Sequence, residues 1–116
     1  MELIGRNDDS GVRILELRED SLDASNVRAF RELADALIGE HRHVVLDMAG
    51  VRFIDSSGLG ALIASLRRLN GRDGDLVLCE MSRTVRALFE LMRMHRVFKI
   101  RDSRADALAA FDPAAG

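Results

Sequence analysis

Two apolar runs, "HVVLDM" at residues 43–48 and "DLVLCEM" at residues 75–81, are rich in branched side chains and barely alternate with polar ones. Strands of that composition are covered on both faces, which places both centrally in a largely parallel sheet. Parallel neighbours need a crossover. The intervening sequence supplies one, because Leu59, Leu62, Ile63, Leu66 and Leu69 recur at helical spacing until Asn70-Gly71 breaks the pattern. Upstream, Val27, Phe30, Leu33, Leu37 and Ile38 form one face of an amphipathic helix, with Asp23 or Ser25 as its N-cap and Gly39 as its stop. Before that helix, "VRILEL" at residues 12–17 reads as a strand wet on one face, paired with a shorter strand at Leu3 and Ile4 across "NDDSG". Downstream, Ser82 caps a helix with inner face Val85, Leu88, Phe89 and Met92, followed by a strand "VFKI" and a short helix from Ser103 to Phe111. The pattern predicts an α/β domain with a mixed, mostly parallel sheet of four to five strands, about four helices and an antiparallel element near the N-terminus.

A chain of 116 residues is long enough for one core and too short for two, so residues 1–116 are read as a single domain. Acids outnumber bases, giving a net charge of -2, and Phe is the only aromatic side chain besides three histidines. Nucleic acid is therefore not expected as a partner, although Arg83, Arg86, Arg93 and Arg96 can form a local basic face. No apolar run approaches a membrane span, and "MELIGRNDDS" lacks a signal core, so no membrane insertion and a cytoplasmic location are expected. The lone Cys79 lies within an apolar run and reads as a buried, reduced thiol.

The chemistry-bearing stretch is "FIDSSGLG", residues 53–60, which sits between a strand and a helix N-terminus. Asp55, Ser56 or Ser57 can each serve as a cap, but one such residue suffices. On the residues alone, plain capping and a functional site weigh equally. A hydrolase nucleophile needs a base held by a third group, and none of His41, His43 and His95 has triad spacing. One Cys and an H-x-H make no metal site, Gly58 and Gly60 precede no phosphate-binding Lys, and no cofactor is expected. Asp47, at the end of "VVLD", competes as a phosphoacceptor, although a strand-end hydrogen-bond acceptor is the plainer reading. A serine at a helix N-terminus that another enzyme modifies fits without partners in this chain.

Residues 44–69, "VVLDMAGVRFIDSSGLGALIASLRRL", resemble the core of the STAS domain of bacterial anti-sigma factor antagonists, and the likeness extends over "SLDASNVRAF", "GDLVLCEMSRTVRALFEL" and "RVFKI". The resemblance implies a non-enzymatic binding module of a partner-switching circuit. Its unphosphorylated form would hold an anti-sigma factor serine kinase, which phosphorylates Ser56, and a PP2C-type phosphatase would restore the hydroxyl. Asp23, Asp55, Ser57, Gly58, Leu59 and Gly60 would form the docking surface, with Leu59 as an exposed apolar contact and Ser57 chiefly shaping the helix start. The resemblance also admits a specialised branch whose output is secretion or motility instead of a sigma factor. The alternative is a STAS subunit of an ABC-type lipid transport complex that needs no phosphorylation. Two positions depart from the family's glycines. Asp20 is expected to alter a strand-to-loop turn, and Arg93 is expected to let a helix run on or end without a left-handed residue.

Overall fold

The computed structural model describes residues 1–112. In chain order it contains β1 (Leu3–Asn7), β2 (Arg13–Leu17), β3 (Ser21–Leu22), α1 (Val27–Ile38), β4 (His43–Asp47), β5 (Phe53–Ile54), α2 (Ser56–Asn70), β6 (Asp75–Cys79), α3 (Arg83–Leu91), a 3-10 turn (Met94–Arg96), β7 (Lys99–Arg101) and α4 (Arg104–Ala109). The main sheet has five strands in the order β1-β2-β4-β6-β7, with β1 antiparallel to β2 and every other neighbour parallel. As the unalternating runs predict, β4 and β6 are central, and Val44, Val45, Leu46, Leu76, Val77 and Leu78 are all buried. Their even spacing on the pleat sends Val44, Leu46, Leu76 and Leu78 into the larger core with Phe30, Leu62, Leu66 and Phe89 of the first three helices. Val45, Val77 and Cys79 face the other way, against Ala107, Leu108 and Phe111 at α4. One face of the sheet thus carries three helices, the other only a short one.

Two strands were not visible in the sequence. β3 and β5 pair in parallel through Ser21↔Phe53 and Leu22↔Ile54, forming a two-stranded sheet of their own. Two residues are too few for periodicity to register, yet this pairing brings the loop before α1 beside the loop before α2.

Several local expectations need correction. The α1 N-cap is Asn26, whose side chain makes no capping bond to the helix. Instead the Asp23 carbonyl accepts from the Asn26 and Val27 N–H groups, at 3.1 and 2.8 Å, and the Asn26 amide bridges back to the Asp23 N–H and the Ser21 carbonyl. Met92 lies past the end of α3 and is exposed, so the inner face of that helix reduces to buried Val85 and Phe89 with partly buried Leu88. Arg93 does adopt the left-handed conformation, at φ 59°, so α3 stops as a glycine-terminated helix would, with an arginine carrying the strain. Asp20 is not among the positive-φ residues, and its carbonyl accepts from the Arg52 N–H at 2.6 Å, so a side chain at this position costs the turn nothing in backbone strain.

Candidate functional site

The site lies where the small sheet ends. β5 delivers the chain to Asp55, whose extended backbone (φ -103°, ψ -176°) turns into α2. One carboxylate oxygen of Asp55 accepts from the Gly58 N–H at 2.9 Å and caps the helix. The other accepts from the Ala24 N–H at 3.1 Å, tying the loop before α1 to the start of α2. Asp55 therefore satisfies the capping requirement by itself. Neither serine is used for it. Ser56 is exposed and Ser57 half-buried, and their hydroxyls make no hydrogen bond among the described residues.

Asp23 stands on the facing loop. One of its carboxylate oxygens accepts from the Ser25 hydroxyl at 2.5 Å and the Ser25 N–H at 2.9 Å, and the other from the Ser21 hydroxyl at 2.9 Å. These bonds, the Ser25 hydroxyl first and Ser21 next, hold the Asp23 carboxyl below the usual carboxylate range. Asp23, Asp55, Ser56 and Ser57 thus meet at one end of the molecule, where the N-terminus of α2, capped by Asp55, stands beside two carboxylates.

Gly58 and Leu59 do not join them on the surface. A Cβ on Gly58 would stand 2.3 Å from the Leu22 carbonyl oxygen, so glycine is demanded by contact between α2 and β3. Leu59 is 8% exposed and belongs to the core with Leu22 and Ile54, which overturns the expected exposed contact. Its place on the apolar stripe with Leu62 and Leu66 was legible and outweighs the motif. Gly60 is half-buried, and a Cβ there would meet only the Arg31 guanidinium, at 3.8 Å. Two residues at this end escaped sequence reasoning. Phe53 is 51% exposed two positions before the cap, and Arg31 reaches α2 from α1. Phe53 sits in a strand too short to show a pattern, and Arg31 looks like any solvated helix charge.

The competing acceptor Asp47 is 8% exposed and occupied. It accepts from the Ala49 N–H at 3.0 Å and from Arg104 Nε and Nη2 at 3.1 and 2.8 Å, as a strand-end acceptor does. A cleft of about 400 Å³ beside it is lined by Glu16, Asp20, Asp47 and Arg104, and Ser56 does not border it. The chemistry at Ser56 is therefore that of an open surface. Nor is a base at hand: the His41 ring pairs with the Ile38 carbonyl at 3.1 Å, His43 stacks on Phe111 with centroids 4.7 Å apart, and His95 lies in the 3-10 turn. Among the described residues no group of three or more His, Cys, Asp or Glu side chains is arranged to hold a metal, and no helix is long and apolar enough to cross a membrane.

Residues 6–107 match the STAS domain family. A Bordetella bronchiseptica protein provisionally named anti-sigma factor antagonist BtrV is 37% identical over 83 residues, 72% of each chain. Among solved structures, an anti-sigma factor antagonist from Mycobacterium paratuberculosis superposes with a TM-score of 0.83 at 22% identity, covering 94% of this chain and 92% of that one. The Bacillus cell fate determinant SpoIIAA in its phosphorylated form superposes with a TM-score of 0.65 at 19% identity, covering 92% of this chain and 96% of that one.

Proposed function

Because the chain belongs to the STAS domain family, we propose that it is an anti-sigma factor antagonist: a binding module, not an enzyme, switched by phosphorylation of Ser56. The observation that carries this reading is the division of labour at the start of α2. Asp55 caps the helix, which leaves the exposed Ser56 hydroxyl with no structural task. The names of the Bordetella and Mycobacterium proteins support the antagonist role, and the existence of a phosphorylated SpoIIAA supports the modification.

In this reading the partner is an anti-sigma factor serine kinase that docks over Asp23, Asp55 and Ser56, with exposed Phe53 supplying apolar contact that Leu59 does not. A PP2C-type phosphatase reverses the modification. The switch acts at the interface. A phosphoryl group brings roughly -1.5 to -2 charges at pH 7 to a face that already carries two carboxylates, and the helix N-terminus tolerates it without remodelling the domain. Desolvating that charge unpaired costs several kcal/mol, on the order of a hundredfold or more in affinity.

The test is incubation with the cognate kinase and ATP, location of phosphate by mass spectrometry, and comparison of two variants in binding. Phosphate is expected on Ser56. Ser56→Ala should bind constitutively and Ser56→Asp should bind at least about a hundredfold more weakly. Phosphate on Ser57 or Asp47, or equal binding by the two variants, overturns the mechanism.

A further inference from the structure

We propose that Arg31 is the receptor for the phosphoryl group on Ser56, so that phosphorylation also ties up an unpaired cation beside the docking face. The inference rests on Ser56 being the modified residue and adds where its phosphoryl group goes.

The geometry comes from the seam between α1 and α2. A side chain at Gly60 would begin 3.8 Å from the Arg31 guanidinium. Ser56 is one turn earlier on the same helix, and residues four apart have Cβ atoms roughly 5–6 Å from each other. The guanidinium therefore lies on the order of 10 Å from the Ser56 Cβ in the unmodified chain, within the combined swing of a phosphoserine and an arginine. Gly60 leaves that approach open. Nothing in the packing demands glycine there, since the Cβ contact would be ordinary, so this mid-helix glycine lowers helix stability without a steric reason.

Charge accounting singles out Arg31 among its neighbours. Arg68 pairs with Asp35 at 2.7 Å, and Arg28 lies 4.0 Å from Glu32 with its side chain 95% exposed. Arg67 is in the last turn of α2. Both nearby acids are committed, Asp23 to Ser21 and Ser25, Asp55 to the Ala24 and Gly58 N–H groups. Arg31, like Arg67, has no carboxylate partner among the described residues, but only Arg31 stands within 4 Å of the Gly60 Cβ position, one turn from Ser56. Guanidinium binds phosphate by paired, charge-assisted N–H donors, and the dianion carries more charge than either neighbouring carboxylate.

Phosphoserine placed at position 56 during translation makes the test independent of any kinase. The second ionisation of the phosphoryl group is followed by ³¹P NMR in the intact chain, in Arg31→Gln and in Arg28→Gln, with thermal melts to verify folding. The intact chain and Arg28→Gln should titrate alike, and Arg31→Gln about half a pH unit or more higher, because an adjacent cation favours the dianion. Equal values in the intact chain and Arg31→Gln overturn the proposal, as does an equal upward shift in Arg28→Gln. A kinase that leaves Ser56 unmodified would defeat the switch reading, while the titration would still judge Arg31.

Discussion

At the scale of single residues, the two glycines of the D-S-S-G-L-G stretch do opposite things. Gly58 is where α2 touches backbone: its Cβ would lie 2.3 Å from the Leu22 oxygen and 2.9 Å from Ile54 Cγ1. Gly60 has room. Gly58→Ala should therefore lower stability by about 1–3 kcal/mol, the usual cost of forcing an atom into a filled core. Gly60→Ala should leave stability equal or raise it by up to about 1 kcal/mol, the helix-propensity difference. Chemical denaturation of both variants checks this, and similar losses in the two would show that the motif is sterically uniform. Residue chemistry also explains why Leu59 was misread. A motif places residues in sequence, but the 100° step of a helix spreads its positions around the helix axis, and packing decides which of them face the core.

At the scale of elements, α4 is the least self-sufficient piece. Six residues cannot sustain a helix alone, and its hold on the sheet runs through Arg104, which bridges Glu16 at the end of β2 and Asp47 at the end of β4 while its N–H donates to Glu80 at 2.8 Å. The Arg104 hydrogen bond, then that of Arg18, keeps the Glu16 carboxyl below the usual glutamate range. Arg104→Gln should cost about 2–4 kcal/mol at pH 7, because it leaves the largely buried Asp47 carboxylate without its cation and Glu16 with Arg18 alone. A carboxyl with a lowered folded-state pKa contributes its stability in full above the ordinary carboxylate value and loses it as pH falls through the folded value. The gap between the intact chain and Arg104→Gln should accordingly narrow below about pH 4. Urea unfolding at pH 7 and pH 3 measures it, and a gap unchanged between the two would remove the ion pairs from the account. Of this element, a short helix beginning at Ser103 was legible from sequence, and the structure adds that the Ser103 hydroxyl caps it, accepting from the Asp106 N–H at 3.1 Å. The Arg104 bridge was not, since its partners are 88 and 57 residues away.

At the scale of the molecule, Cys79 reports on the whole fold. It lies between β4 and β7 on the face closed by α4, with no solvent exposure, and its Sγ donates to the Leu46 carbonyl at 3.7 Å. Burial, reinforced by the negative charges of Asp47 and Glu80, pushes the thiol up to about 12. A thiol reagent at pH 8 should leave the native protein unlabelled over hours and modify one thiol per chain in denaturant, at a native rate that follows global opening. Prompt native labelling would mean that α4 opens independently of the sheet. The sequence by itself determined the alternation of strand and helix, the central position of "HVVLDM" and "DLVLCEM", the Ser82 cap, the short last helix and the strand-to-helix junction around Asp55, because each is written in local periodicity or capping chemistry spanning a few residues. Only the tertiary structure decided that Asp55 alone caps α2, that Gly58 and Leu59 turn inward, that Arg93 takes a left-handed conformation, that the loop carrying Asp23 is tied to Asp55 and that Arg31 arrives beside Gly60. Those outcomes depend on the β3–β5 pairing and the packing of α1 on α2, contacts between segments some 30 residues apart, whose energy comes from burial and mutual fit that no local pattern encodes.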